Sequence, residues 1–126
     1  MPIETATIDD VRAAQDVILR HISPAPLIRS YPLEKELGLS PGRRVWIKDY
    51  GWTPVRSFKL LGALNWMERN LERIGDRPVV GHSSGNFAGG IAYAGLRTGK
   101  RVIVVKPHTA PTKRKKRTGS HAEAMR

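Results

Sequence analysis

Val102-Ile103-Val104-Val105 is an unbroken run of branched aliphatic residues. It is far too short to span a bilayer, and it lacks the alternation of a strand with one wet face. Such a run is expected in the middle of a parallel sheet, covered on both sides. Pro78-Val79-Val80 predicts a second strand, and Val45-Trp46-Ile47 a third. Helical periods lie between them. Leu60, Leu64, Met67, Leu71 and Ile74 make one apolar stripe, with Asn65, Glu68, Arg69 and Glu72 on other faces and Gly75 as the stop. A further helix is expected from about Asn86 to Thr98, ended by Gly99. Pro111 suits the first turn of another. Strand, helix, strand, helix, strand, helix predicts a three-layer α/β fold on a parallel sheet with right-handed crossovers.

The N-terminal third is organised by caps and breakers. Thr7 and Asp10 form a capping-box variant ahead of Ile8, Val11, Ile18 and Ile22 at helical spacing. Ser23 to Pro26 breaks that helix. Pro32 begins a short second helix, which Gly38 ends, and Pro41-Gly42 marks a turn. Ser57 is the expected N-cap of the helix that follows the first strand.

Composition narrows the function classes. The chain has 126 residues, enough for one domain with a modest core. It has no cysteine, which excludes disulfides, zinc-thiolate sites and cysteine nucleophiles. Met1-Pro2-Ile3-Glu4 has no basic or apolar leader character, so no signal peptide and a cytoplasmic location are expected. His21, His82, His108 and His121 lack metal-ligand spacing, and no metal site is expected. The net charge is +11, and residues 111–126 carry six basic side chains against one acidic. The run Lys113-Arg114-Lys115-Lys116-Arg117 could contact a phosphate backbone. It follows a helix-starting proline and has no aromatic neighbour to stack bases, so a solvated helix or tail is expected and nucleic acid is not an expected partner.

Two motifs carry chemistry. Ser57-Phe58-Lys59 puts a single primary amine at a helix start, where positive partial charge and an apolar neighbour bear on it. An amine that attacks an aldehyde must lose its proton, which burial and nearby positive charge promote. Ser83-Ser84-Gly85-Asn86 begins 24 residues after the lysine, between a strand and a helix. A glycine-containing turn entering a helix offers backbone N–H groups to an anion. Taken singly, the first motif also fits a solvated surface lysine, and the second an ordinary turn capped by Ser84.

Together the motifs resemble a known family. Ser57-Phe58-Lys59-Leu60-Leu61-Gly62-Ala63 is similar to the Ser-Phe-Lys-x-Arg-Gly-Ala signature of the threonine dehydratase family. Those are pyridoxal phosphate enzymes of fold type II, the tryptophan synthase β-like fold. His82-Ser83-Ser84-Gly85-Asn86-Phe87-Ala88 resembles the family's Ala-Ser-Ser-Gly-Asn-His-Ala, and Pro26-Leu27, Trp46-Ile47-Lys48, Ile91-Ala92-Tyr93-Ala94, Pro107 and Ala110-Pro111 agree in order over most of residues 22–112. Ala122-Glu123 is similar to the family's Gly-Ala-Glu. Leu61 replaces the family arginine, Arg56 stands where glycine is usual, Phe87 replaces histidine, and Gly89-Gly90 replaces Gln-Gly.

The resemblance implies a threonine/serine dehydratase-like ammonia-lyase, taking a β-hydroxy amino acid to a 2-oxo acid and ammonia with pyridoxal 5'-phosphate. It implies that Lys59 bonds the cofactor aldehyde and later takes the substrate α-proton. Phe58 and Asn86 would contact the cofactor, Asn86 through its phenolic oxygen. Ser83, Ser84, Gly85 and Phe87 would bind the substrate carboxylate. Residues 1–65 would begin a large domain, and residues 66–126 would form an incomplete small one. Family members are more than twice as long and hold the cofactor phosphate in a later glycine-rich loop. A truncated N-terminal portion without turnover of its own is therefore expected, either a homodimer or completed by another chain. A non-catalytic remnant of the fold and a small basic nucleic-acid-binding protein are the alternatives.

Overall fold

The computed structural model describes residues 5–106, and residues 123–125 as a strand. Helix α1 (Ile8–Leu19) starts on the expected capping box. The Thr7 hydroxyl accepts the Asp10 N–H at 3.2 Å, and Asp10 accepts the Thr7 N–H at 2.8 Å. The Thr7 hydroxyl also donates to Asp10 and holds its carboxyl below the ordinary value. Ile8 and Val11 face solvent, whereas Ile22, past the helix end, packs against the core.

Strand β1 (Leu27–Arg29) and strand β2 (Trp46–Lys48) form an antiparallel pair with Ile28 opposite Ile47. Here the structure corrects the sequence reading, which placed residues 45–47 in the parallel sheet and gave no strand at residues 27–29. A three-residue strand carries too little alternation to name its partner. Helix α2 (Tyr31–Glu36), with proline in its first turn as expected, lies between the two strands in sequence.

Glu34 ties this unit together. Arg29 Nε and Nη2 each donate to the Glu34 carboxylate at 2.8 Å, and the Val45 N–H donates to it at 2.9 Å. The Arg29 guanidinium also lies 4.2 Å from the Tyr31 ring centroid. The Arg29 hydrogen bonds, with help from the Val45 N–H, hold Glu34 down from 4.5 to about 2. A carboxylate lowered on folding contributes stability above its unfolded value and loses it as pH falls through the folded one. The stability advantage of the native chain over Glu34→Gln should therefore be constant above pH 4.5 and shrink between there and about pH 2. Urea midpoints of both chains across that range check it; a difference that does not narrow would overturn it.

Helix α3 (Lys59–Arg69) and the single turn α4 (Leu71–Ile74) replace the one helix expected over residues 57–74. The break is at Asn70, whose side-chain amide donates to the Trp66 carbonyl at 2.8 Å and competes with the helix ladder. The apolar stripe behaves as expected: Leu60, Leu64 and Met67 are fully buried, and Leu71 and Ile74 join them. Glu68 does not lie free on an outer face. Its carboxylate meets His21 Nε2 at 2.5 Å and fastens the end of α1 to α3.

Strands β3 (Val79–His82), β4 (Val102–Val105) and β5 (Glu123–Met125) form a parallel sheet with β4 in the middle, where the aliphatic run was expected. The sequence reading assigned no strand to residues 123–125. Val79, Val102 and Val104 line the core under α5 (Asn86–Thr98), while Val80 on the other face is exposed. Gly99 ends α5 in the left-handed conformation, as expected. The helix expected after Pro111, the 113–117 run, Pro107, Ala122, His108 and His121 lie outside the described residues. Among the described residues no helix is long and apolar enough to cross a membrane.

Candidate active site

The lysine is delivered by a turn whose bonds are nearly all internal. Asp49 accepts the Gly51 N–H at 2.7 Å and opens a 3-10 turn at Tyr50–Trp52. The Thr53 hydroxyl donates to the Tyr50 carbonyl at 2.8 Å and accepts the Ser57 N–H at 3.0 Å. Thr53 and Ser57 are the buried polar residues of the described chain. A hydroxyl that donates and accepts at once fixes both ends of a loop, and its loss leaves a buried N–H unpaired. Sequence reasoning missed Thr53, since nothing marks the partner of a loop threonine before the loop is folded.

Arg56, between these two, has φ +53°. Only glycine takes that conformation without cost, and other residues lose roughly 1–2 kcal/mol there. Glycine, which the resemblance would put at this position, escapes that cost. Arg56→Gly should raise stability by about 0.5–1 kcal/mol, because the relief exceeds the extra chain entropy glycine carries when unfolded. Denaturant midpoints at unchanged slope check it, and a lowered midpoint would overturn it.

Ser57 does not stand at the helix boundary, as expected, but one residue earlier. Phe58 takes that place, and the Ser57 hydroxyl accepts the Lys59 N–H at 3.3 Å. Lys59 Nζ lies 4.9 Å from the Phe58 ring centroid, and Tyr50 tilts against that ring at 6.4 Å. The side of the amine nearest its own helix is thus apolar. Both Lys59 and Phe58 are exposed, so the described residues do not supply the expected burial of the amine.

The Ser83–Phe87 loop leaves the C-terminal end of β3. The Ser83 N–H donates to the Val105 carbonyl at 3.1 Å, and the Ser83 hydroxyl accepts the Gly85 N–H at 3.1 Å. Gly85 is the boundary residue of α5, and no side chain caps that helix. Ser84 therefore does not play the ordinary capping part, and a helix start without a side-chain cap is a place where an anion can bind. Asn86 and Phe87 occupy the first turn and are exposed; Ser83, Ser84 and Gly85 are half-buried.

The two motifs are brought together by α3 packing on α5. Gly90, one turn past Asn86, faces the α3 backbone so closely that a Cβ there would lie 3.1 Å from the Lys59 carbonyl oxygen. A cleft of about 550 Å³ lined by His21, Pro24, Pro26, Trp52 and Tyr93 does not include Lys59. No metal-binding cluster occurs among the described residues.

These parts fit a cofactor bearing an aldehyde and an anionic group: one amine over a flat apolar ring on α3, and an uncapped start on the helix packed against α3. The comparisons agree. A family model described as "Pyridoxal-phosphate dependent enzyme" matches residues 18–124. Threonine dehydratase 1 of Solanum lycopersicum, a biosynthetic chloroplastic protein, is 35% identical over 86 residues, covering 68% of this chain and 14% of its own length. The beta-hydroxyaspartate dehydratase of Paracoccus denitrificans is 33% identical over 109 residues, covering 86% of this chain and 33% of its own. A crystal structure of a pyridoxal 5'-phosphate-dependent aspartate racemase superposes with a TM-score of 0.88 at 34% identity, over 99% of this chain and 39% of the racemase. The chain thus spans between one seventh and two fifths of the length of these proteins. With this α/β architecture and this match, the chain belongs to the family of pyridoxal-phosphate dependent enzymes with the tryptophan synthase β-like fold, whose cofactor is pyridoxal 5'-phosphate.

Proposed function

We propose that this chain carries the amine-bearing wall of the active site of an ammonia-lyase that converts a small β-hydroxy amino acid to a 2-oxo acid and ammonia. The observation that carries the reading is Lys59 at the start of α3, its Nζ over the Phe58 ring, backed by the helix whose uncapped start bears Ser83-Ser84-Gly85-Asn86. When bound, the cofactor supplies the sink for the electron pair left at the substrate α-carbon. Lys59 would hold the cofactor through its amine, and its Nζ is the group placed to take the substrate α-proton. Ser83, Ser84, Gly85 and Phe87 orient the substrate carboxylate at the helix start. Asn86 would hold the cofactor ring through its phenolic oxygen, and Phe58 covers one side of the lysine. The β-hydroxyl departs as water, and hydrolysis of the released enamine gives the 2-oxo acid and ammonia.

A second reading is favoured by the aspartate racemase likeness. Racemisation uses the same first proton removal and returns the proton on the opposite face. Ammonia with 2-oxo acid from L-threonine or L-serine marks the lyase, and an inverted amino acid without ammonia marks the racemase. On this reading the Ser83–Asn86 turn serves the substrate carboxylate, and the described residues offer no second turn of this kind at the site for the cofactor phosphate. On this chain alone the expected result is therefore cofactor capture without turnover above a Lys59→Ala blank.

The test is chemical. Pyridoxal phosphate followed by borohydride should label the peptide containing Lys59, and Lys59→Ala should lose that label while its fold persists. Label spread evenly over the surface lysines would sink the assignment.

A further inference from the structure

Gly90 sits in the interior of α5, where glycine weakens a helix relative to alanine, so its presence needs a packing reason. A Cβ at position 90 would meet three main-chain atoms: the Lys59 oxygen at 3.1 Å, the Lys59 carbonyl carbon at 3.2 Å and the Leu60 Cα at 3.3 Å. No rotamer change relieves a contact with backbone. The neighbouring glycine is different, since a Cβ at position 89 would touch only the Val55 side chain, at 3.7 Å, an ordinary contact. The helix that bears the anion-binding loop and the helix that bears the amine therefore touch through their backbones at the lysine itself.

We propose that Gly90 is a positioning residue of the active site: by admitting α5 to the Lys59 carbonyl, it sets the spacing between Lys59 and the Ser83–Phe87 loop. The proposal rests on Lys59 as the amine that captures the cofactor. Alanine at position 90 forces α3 away by a few tenths of an ångström and moves the amine relative to the loop, although neither is mutated. Since misplacement by 1 Å can cost about a hundredfold in rate, a shift of this size predicts a loss of about fivefold.

The full chain is compared with Gly90→Ala, Gly89→Ala and Gly95→Ala at a temperature where circular dichroism shows each folded. Two readouts are taken at saturating pyridoxal phosphate: the rate of Lys59 labelling by peptide mapping, and the absorption band of the captured cofactor. Gly90→Ala should label Lys59 about fivefold more slowly with a shifted band. Gly89→Ala should match the native chain, and so should Gly95→Ala, whose strain lies at the far end of α5. Native-like labelling of Gly90→Ala overturns the proposal alone, as does an equal loss in Gly95→Ala. A native chain that does not label Lys59 selectively overturns the functional reading and this proposal with it. If Gly90→Ala is unfolded, it is repeated with Arg56→Gly added. A chain that still fails to fold would show that Gly90 serves packing and overturn the proposal.

Discussion

Leu64→Ala should lower the unfolding free energy by about 2–5 kcal/mol. Leu64 is completely buried on the inner stripe of α3, with Leu60 and Met67 buried on the same face. It belongs to one core cluster with Ala88, Ile91 and Ala94 of α5 and Val79, Val102 and Val104 of the sheet. Truncation removes three carbons from contact with this shell and leaves a cavity. Backbone close approach, at Gly90, holds the two helices apart as well as together, so collapse around the gap is restricted. The measurement is a denaturant midpoint at constant slope. A loss under about 0.5 kcal/mol, the size of an ordinary surface change, would show that this core is loosely packed.

Gly95→Ala is the second large effect, and it arises from overpacking. A Cβ there would lie 2.3 Å from Val102 Cγ2 and 2.7 Å from the Lys100 carbonyl oxygen. The valine has limited room, because its strand is paired on both sides. The carbonyl has less, because the Gly99 and Lys100 N–H groups both return to the Gly95 carbonyl and close the turn. Overpacking of this kind costs roughly 1–3 kcal/mol and occasionally more, against a gain of about 1 kcal/mol from alanine's helix propensity. So close an approach puts the cost at about 3 kcal/mol, and the expected net loss is about 2 kcal/mol, read as a lowered denaturant midpoint. Gly89→Ala, with open contact, should be neutral or stabilising, and equal behaviour of the two variants would refute the steric account.

What the sequence by itself determined has local causes. The capping box of α1, the stripe of α3, the stops at Gly75 and Gly99 and the aliphatic run of β4 act within a turn or a strand. The family was legible for the same reason: the lysine and asparagine motifs are short strings that carry the resemblance in their own residues. The tertiary structure alone decided what depends on partners far along the chain. It paired residues 46–48 with residues 27–29 in antiparallel fashion, made β5 a third parallel strand, and joined His21 to Glu68. It brought Gly90, the second of the helix-weakening pair Gly89-Gly90, against the backbone of Lys59 and Leu60, and it held Arg56 at positive φ. Caps and periodicity are set by neighbours three or four residues away. Strand partners, close backbone approaches and strained turns are set by which surfaces meet after collapse, and no single stretch of this chain carries that information.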